Sequence, residues 1–210
     1  MSLPAWAVLL LAYLVGSFPT AHLVGKANGI DLRTVGSGNL GATNVFRTLG
    51  WKWGLAVYVV DFLKGMLPVL WLAPRMASSQ LGPEGWAMAA GIAAIAGHVR
   101  PVFLLGKGGG KGVATASGVF TALAPIAAAC GIGAFAVTVA LTRYVSLGSL
   151  IGAGVLAVVL QVTAFNTAMA WVGTAVALFV MVTHRDNIKR LMRGDERRIG
   201  GSSAKETSAS

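Results

Sequence analysis

The chain has 210 residues, of which 55% are hydrophobic and 11% charged, and it carries a formal net charge of +10. An ordinary soluble domain has about 25% charged residues, so the long uncharged runs here point instead to an all-α polytopic membrane protein. The positive charge collects in a few loops and near the C-terminus, as membrane topology rather than nucleic-acid binding requires, and a lone Cys130 leaves no internal disulfide or cysteine metal cluster.

Leu3 to Val24 is the first expected span. No basic stretch precedes it and no small-residue cleavage site follows, so it reads as a spanning helix rather than a cleaved signal. The next segment, Gly25 to Lys52, is polar and holds Lys26, Arg33, Arg47 and Lys52. Inside it runs Gly36-Ser37-Gly38-Asn39-Leu40-Gly41-Ala42-Thr43-Asn44. Gly36 to Gly41 formally fits G-x-G-x-x-G, but no strand precedes it and no βαβ unit is possible, so a dinucleotide site is excluded. What remains is a tight polar segment that opens a short helix near Asn39 and offers backbone N–H groups to an anion. Arg47 then supplies a bidentate clamp. Ser37 has no adjacent base, so it reads as a cap or phosphate ligand rather than a nucleophile.

Trp53 to Leu72 spans next, with Trp51 and Trp71 at interface depth. Asp61 and Lys64 sit three residues apart within it and are expected to form a structural ion pair facing the bundle. A third span, Pro83 to Leu105, leads into Gly106-Lys107-Gly108-Gly109-Gly110-Lys111-Gly112. Such a glycine run brings consecutive N–H groups around an anion, and the two lysines add full charge. It is not a Walker A loop: Leu105 occupies the first glycine position and Gly112 replaces the hydroxyl residue. A helix is expected from Val113, its N-terminus again favouring an anion. His22 and His98 lie near cytoplasmic helix ends, where packing accounts for them.

Val113 to Leu141 is about 29 apolar residues interrupted by Pro125, too long for one ordinary span. The loops at 25–52 and 106–112 and the basic tail belong on the cytoplasmic side. The final spans, Ser149 to Phe165 and Thr167 to Val182, go out and back. Thr142 to Gly148, with Arg143 and Ser146, is then cytoplasmic too, and 113–141 must leave and return as two short helices. Seven helical segments result, with the N-terminus outside and the C-terminus cytoplasmic. Residues 1–198 form one membrane domain and 199–210 a disordered polar tail.

The tail begins Thr183-His184-Arg185-Asp186-Asn187-Ile188 and runs on to Gly194-Asp195-Glu196-Arg197. His184, Asn187 and Leu191 share one helical face level with the other motifs. Lys189, Arg193 and Arg198 suit anionic lipid headgroups. No arrangement of His, Asp, Glu and Cys has metal-ligand spacing.

Together, the 36–44 segment, Gly106 to Thr115, and His184 to Ile188 with Gly194 and Glu196 closely resemble the bacterial acyl-phosphate-dependent glycerol-3-phosphate acyltransferases (the PlsY type). Asp61-Phe62-Leu63-Lys64-Gly65 also looks like that family's second-span pattern, while the extended triple glycine Gly108–Gly110 departs from its second motif. The resemblance implies a multi-pass enzyme of the bacterial cytoplasmic (inner) membrane with its site on the cytoplasmic face. It implies transfer of a fatty acyl group from acyl phosphate to the 1-hydroxyl of glycerol 3-phosphate, the first acylation of phospholipid synthesis, without a cofactor or metal. Its partners would be these two substrates and membrane lipids. By resemblance, Ser37, Asn39, Thr43 and the 106–112 loop would hold acyl phosphate, and Arg47, Lys111, Ser146, His184 and Asn187 would hold glycerol 3-phosphate. Gly38, Gly41, Asn44, Lys107, Gly108, Gly109, Gly110 and Glu196 complete the expected binding set, with His184, Lys111 and Asn187 nearest the chemistry. His184 is expected to orient and neutralise the acceptor phosphate, while a substrate phosphate oxygen takes the proton, with no covalent acyl-enzyme. The competing class is a transporter or channel for a small phosphorylated anion, which predicts polar residues through the spans. Here polarity gathers at one face.

Overall fold

The structure, a computed structural model, describes residues 3–76 and 80–200. The first apolar segment is broken into α1 (Ala5–Gly16) and α2 (Thr20–Ala27). Pro19 lacks the N–H that would continue α1, so the chain turns at Ser17 and Phe18 before resuming. A polar loop leads to α3 (Ala42–Leu49), and Gly50, at φ +90°, turns the chain into α4 (Trp51–Leu67). A π-turn at Pro68–Leu72 and a 3-10 turn at Ala73–Arg75 extend α4, the local answer to a proline inside a span. Next come α5 (Gly82–Val99), the glycine loop, and α6 (Val113–Leu123). The chain ends with α7 (Pro125–Thr142), α8 (Val145–Thr163), α9 (Ala168–Thr183) and α10 (Arg185–Arg193).

Among the described residues, five helical runs are long and apolar enough to cross a membrane: Ala5–Ala27, Trp51–Arg75, Gly82–Leu104, Pro125–Thr142 and Val145–Thr163. A sixth arises if α9 and α10, bent by 60°, count as one span, and α6 is a shorter apolar helix. We read α9 as the span and α10 as a helix lying outside it. The all-helical membrane architecture is as the sequence suggests. The pair over 113–142 differs in one respect, because it is not two short helices. Pro125 occupies the first position of α7, where its missing N–H costs nothing, so the division falls early and leaves 11 and 18 residues. Only α6 is short.

Without a hydrophobic drive between helices in lipid, close backbone approach at small residues does the packing. Three crossings use paired glycines. Gly16 meets the Ala94 carbonyl while Gly97 meets that of Tyr13, joining α1 to α5. Gly65 abuts the Thr115 carbonyl and Gly118 that of Phe62, joining α4 to α6. Gly131 and Gly152 each sit on the other's carbonyl between α7 and α8. A methyl group at any of these would overlap the opposing backbone.

The buried charges follow from the break after α1. Lys64 Nζ donates to the Phe18 carbonyl (3.0 Å) and pairs with Asp61 Oδ1 (2.8 Å), which also accepts from Thr20 Oγ1 (3.1 Å). The ion pair thereby satisfies groups left over where two helices fail to join. At the other end of the chain, the Ile199 N–H donates to the Arg143 carbonyl (2.9 Å), so residues past α10 fold back on the α7–α8 turn. Of the tail expected over 199–210, residues 201–210 lie outside the described residues.

Candidate active site

The loop after α2 is folded by one amide. Asn44 Oδ1 accepts from the Ser37 N–H (2.8 Å), and its Nδ2 donates to the carbonyls of Leu32 (3.1 Å) and Val35 (3.2 Å). Asn44 is fully buried and its amide is fully engaged, so it shapes the loop rather than facing a ligand. Gly36, at φ +63°, lies against the Asn44 side chain, where a larger residue would collide. Asn39 Nδ2 then donates to the Gly109 carbonyl (3.2 Å), tying the first motif to the glycine loop.

The glycine loop closes onto the end of α5, with Gly110 N–H donating to the His98 carbonyl (3.2 Å) and packing against the His98 ring. Gly112, at φ +86°, launches α6, and Thr183 Oγ1 donates to the Lys111 carbonyl (3.2 Å). The Lys111 ammonium donates to Asn187 Oδ1. Asn187 Nδ2 and Ser146 Oγ both donate to Glu196 Oε1 (2.8 Å each), and Arg190 Nε donates to Glu196 Oε2 (2.7 Å). Arg47 Nη2 donates to the Arg197 carbonyl (2.8 Å). Both motif loops, the helix ends beside them and the stretch after α10 are thus cross-linked around one polar chamber of about 770 Å³.

Ser37, Asn39, Gly41, Thr43, Asn44, Arg47, Lys111, Ser146, His184, Asn187 and Glu196 all line it. The N-termini of α3 and α6 abut it at Gly41–Thr43 and Gly112–Ala114, which adds partial positive charge from both helices. Other predicted residues stand elsewhere. Lys107 is exposed, and Gly108, Gly109 and Gly110 face a smaller adjoining hollow with Asp61, Lys64 and His98. Gly38 is absent from the chamber lining and lies against the Arg33 carbonyl. Several lining residues had no place in the sequence-based site, among them Tyr58, Asp61, His98, Phe135 and Ser149. A charge in an apolar span was the available signal for Asp61. The two aromatics gave none.

The electrostatics favour a phosphorylated ligand. Burial, aided by nearby Arg190, pulls the Lys111 ammonium down from 10.5 to about 8, so it is still mostly charged at neutral pH. Burial pushes the Glu196 carboxyl upward, but hydrogen bonds from Arg190, Asn187 and Ser146 outweigh it and hold the group below its usual value. Glu196 is therefore an engaged anion rather than a competitor for the ligand. Burial first, and Lys111 second, lower the His184 imidazole to about 4. His184 Nδ1 lies 2.8 Å from the Val180 carbonyl, which can only accept, so Nδ1 carries the proton. In the neutral ring Nε2 then holds a lone pair. A neutral ring in this tautomer accepts a hydrogen bond at Nε2, and a hydroxyl suits it.

Beside the polar chamber lies an apolar cavity of about 630 Å³, and the two share Tyr58, Val113, Phe135 and Ser149. Val113, Ala116 and Phe120 on α6, Phe135, Gly131 and Ala128 on α7, and Ser149, Gly152 and Leu156 on α8 line it at helical spacing, with Tyr58 of α4 and Val176, Ala177 and Val180 of α9 completing the wall. Seven residues of helix correspond to roughly 10 Å of depth. Phe120, Ala128 and Leu156, all in one buried cluster, form its far end.

The glycerol-3-phosphate acyltransferase family model matches residues 6–194. A glycerol-3-phosphate acyltransferase from Anaeromyxobacter dehalogenans (strain 2CP-C) is 45% identical over 92% of this chain and 96% of its own. One from Geobacter sulfurreducens is 44% identical over 90% of this chain and 94% of its own. Two crystal structures of PlsY, an integral membrane glycerol 3-phosphate acyltransferase, superpose closely. Its glycerol 3-phosphate form gives a TM-score of 0.85 at 37% identity, covering 93% of this chain and 96% of that one. Its lysophosphatidic acid form gives 0.82 at 36%, covering 93% and 95%.

Proposed function

The chain belongs to the glycerol-3-phosphate acyltransferase family, and from that premise we propose that it moves a fatty acyl group from acyl phosphate to the 1-hydroxyl of sn-glycerol 3-phosphate, releasing lysophosphatidate and phosphate. The observation that carries this reading is the junction of a basic chamber with an apolar cavity. A phosphate headgroup fits the first and an acyl chain the second, with the scissile bond where they meet. The acceptor and the product of that reaction name the two PlsY forms that this chain resembles. A transporter for a phosphorylated anion would need a polar path onward, whereas the space beyond the chamber is apolar.

The glycerol 1-hydroxyl attacks the acyl carbonyl carbon, the new C–O bond forms, and the carbon–oxygen bond to phosphate breaks. The hydroxyl proton passes to an oxygen of the leaving phosphate, so no side chain need change protonation state. Catalysis is then positioning and charge stabilisation. Lys111 and Arg47 face the acceptor phosphate, and Ser37, Asn39 and Thr43 at the start of α3 face the donor phosphate. His184 Nε2 accepts from the attacking hydroxyl and aligns it, but a group with so low a proton affinity makes a poor base. Asn187 acts through others, holding Lys111 with its oxygen and Glu196 with its nitrogen.

The chamber lies among the Lys- and Arg-rich loops, which supports a cytoplasmic face and an outside N-terminus. The test is turnover by purified protein in vesicles with palmitoyl phosphate, palmitoyl-CoA or palmitoyl carrier protein as donor, following lysophosphatidate by mass. Only acyl phosphate should support it. Equal rates with the thioesters would show the donor assignment to be wrong.

A further inference from the structure

Tyr58 and Phe135 line both the polar chamber and the apolar cavity, and they line a third hollow as well. This one, of about 700 Å³, is wide open, and its outer wall is Phe46, Trp51, Leu55 and Ile199. Trp51 and Leu55 are 61% and 52% exposed on a span helix, so their side of the hollow faces outward rather than into the bundle. The hollow lies between α4 and α7. α4 packs on α3 and α6, whereas α7 packs on α6 and α8, so the two helices part on this side. Tyr58 has its ring contact with Phe62 on its own helix, centroids 6.2 Å apart. Among the described residues no aromatic pair closes the gap to Phe135.

We infer that this opening is the lateral passage by which the donor's acyl chain enters from the membrane and lysophosphatidate leaves, with Tyr58 and Phe135 as its two sides. The inference rests on the acyl-transfer reading above and adds the route. The occupant follows from continuity: the hollow shares Tyr58 and Phe135 with both the headgroup chamber and the chain cavity. A long chain also needs such a route, because each methylene drawn through water is disfavoured about fourfold relative to lipid. Glycerol 3-phosphate, fully polar, has no use for an apolar entrance and reaches the chamber from the aqueous side.

Leu55 lines the opening alone, touching neither chamber nor cavity, so it is the place for a plug. In a Cys130→Ala background, which removes the exposed native thiol, Leu55→Cys is labelled with pyrenyl maleimide and reconstituted in vesicles. Val60→Cys, about 140° round α4, takes the same label as a control. The plugged protein should lose about tenfold or more in turnover of palmitoyl phosphate while keeping its rate on water-soluble butyryl phosphate. Unlabelled Leu55→Cys and labelled Val60→Cys should match the parent on both. A plug that leaves palmitoyl phosphate turnover unchanged, or lowers both donors alike, overturns the passage. Association of lysophosphatidate with the same proteins decides the matter independently of the donor. It should slow about tenfold with the plug, and an unchanged rate would contradict the inference. If the unlabelled protein uses neither acyl phosphate, the donor reading fails, and the lysophosphatidate measurement still tests the route.

Discussion

Lys111 and Asn187, 76 positions apart in sequence, are joined by a hydrogen bond from the ammonium to the amide oxygen. The contact fixes the end of the glycine loop to the first turn of α10, and it holds the half-buried lysine of the chamber within electrostatic reach of Arg47. Its protonation should govern acceptor binding. Lys111 is a cation below about 8 and neutral above. A phosphate dianion binds the cationic form, so KM for glycerol 3-phosphate should be flat from about pH 7, where the dianion prevails, up to that value and rise as pH climbs through it. Lys111→Arg should push the rising limb to higher pH. Lys111→Ala should raise KM about 10- to 100-fold, the worth of a charge-assisted hydrogen bond. Steady-state kinetics across the alkaline range checks all three.

His184 makes a contrasting prediction. With its proton on Nδ1 and its proton affinity low, it is neutral throughout the physiological range. His184→Asn keeps a side-chain oxygen acceptor, so it should retain measurable turnover. The ratio of wild-type to His184→Asn kcat should not vary with pH near the usual imidazole value of about 6.5. A general base would show the reverse, a loss of about 10² to 10⁴ with the ratio shrinking as pH falls through that value.

At the far end of the apolar cavity, Ala128 leaves space that a larger side chain would fill. Ala128→Phe should shift the preferred acyl phosphate to shorter chains. Each excluded methylene should weaken the long-chain substrate about fourfold, with KM for glycerol 3-phosphate unchanged. A series of acyl phosphates of increasing length reads this directly.

Glu196 gathers Ser146, Asn187 and Arg190, and the Asn187 link extends to Lys111. Glu196→Gln replaces an acceptor oxygen facing Arg190 with a donor. It should lower stability by about 1–3 kcal/mol and raise KM for glycerol 3-phosphate. Because the folded carboxyl sits below its usual value, its contribution is present above the unfolded value of 4.5 and lost as pH falls through the folded one. Thermal unfolding in detergent at neutral and acidic pH checks the sign: the gap between wild type and Glu196→Gln should close in acid.

Much of this was legible in the chain, because polar residues in a membrane protein are expensive and therefore conspicuous. Ser37, Arg47, Lys111, Ser146, His184 and Asn187 stood out from apolar surroundings, and the structure gathers all six on one chamber. Tyr58 and Phe135 did not stand out, since an aromatic facing a cavity and one facing lipid look alike in a hydrophobic span. Nor does sequence say which polar group faces a ligand and which holds a neighbour. Asn44 and Glu196 looked like ligands, and the structure shows their hydrogen bonds taken up by Leu32, Val35 and Ser37 in one case and by Ser146, Asn187 and Arg190 in the other. The proton position on His184 depends on a carbonyl one turn back, which only the helix brings into place. The short α6 beside a full-length α7 turned on whether Pro125 began a helix or divided one.

The central claim is direct transfer between two substrates held in one chamber, and intact-protein mass tests it most directly. Wild type and Ser37→Ala are each mixed with palmitoyl phosphate alone and then with glycerol 3-phosphate. Protein mass should stay constant at every stage, and lysophosphatidate should appear only when both substrates are present, with Ser37→Ala slowed but active. A gain of one acyl group on the wild-type protein, lost when glycerol 3-phosphate is added and absent from Ser37→Ala, would contradict direct transfer and establish a covalent route through Ser37.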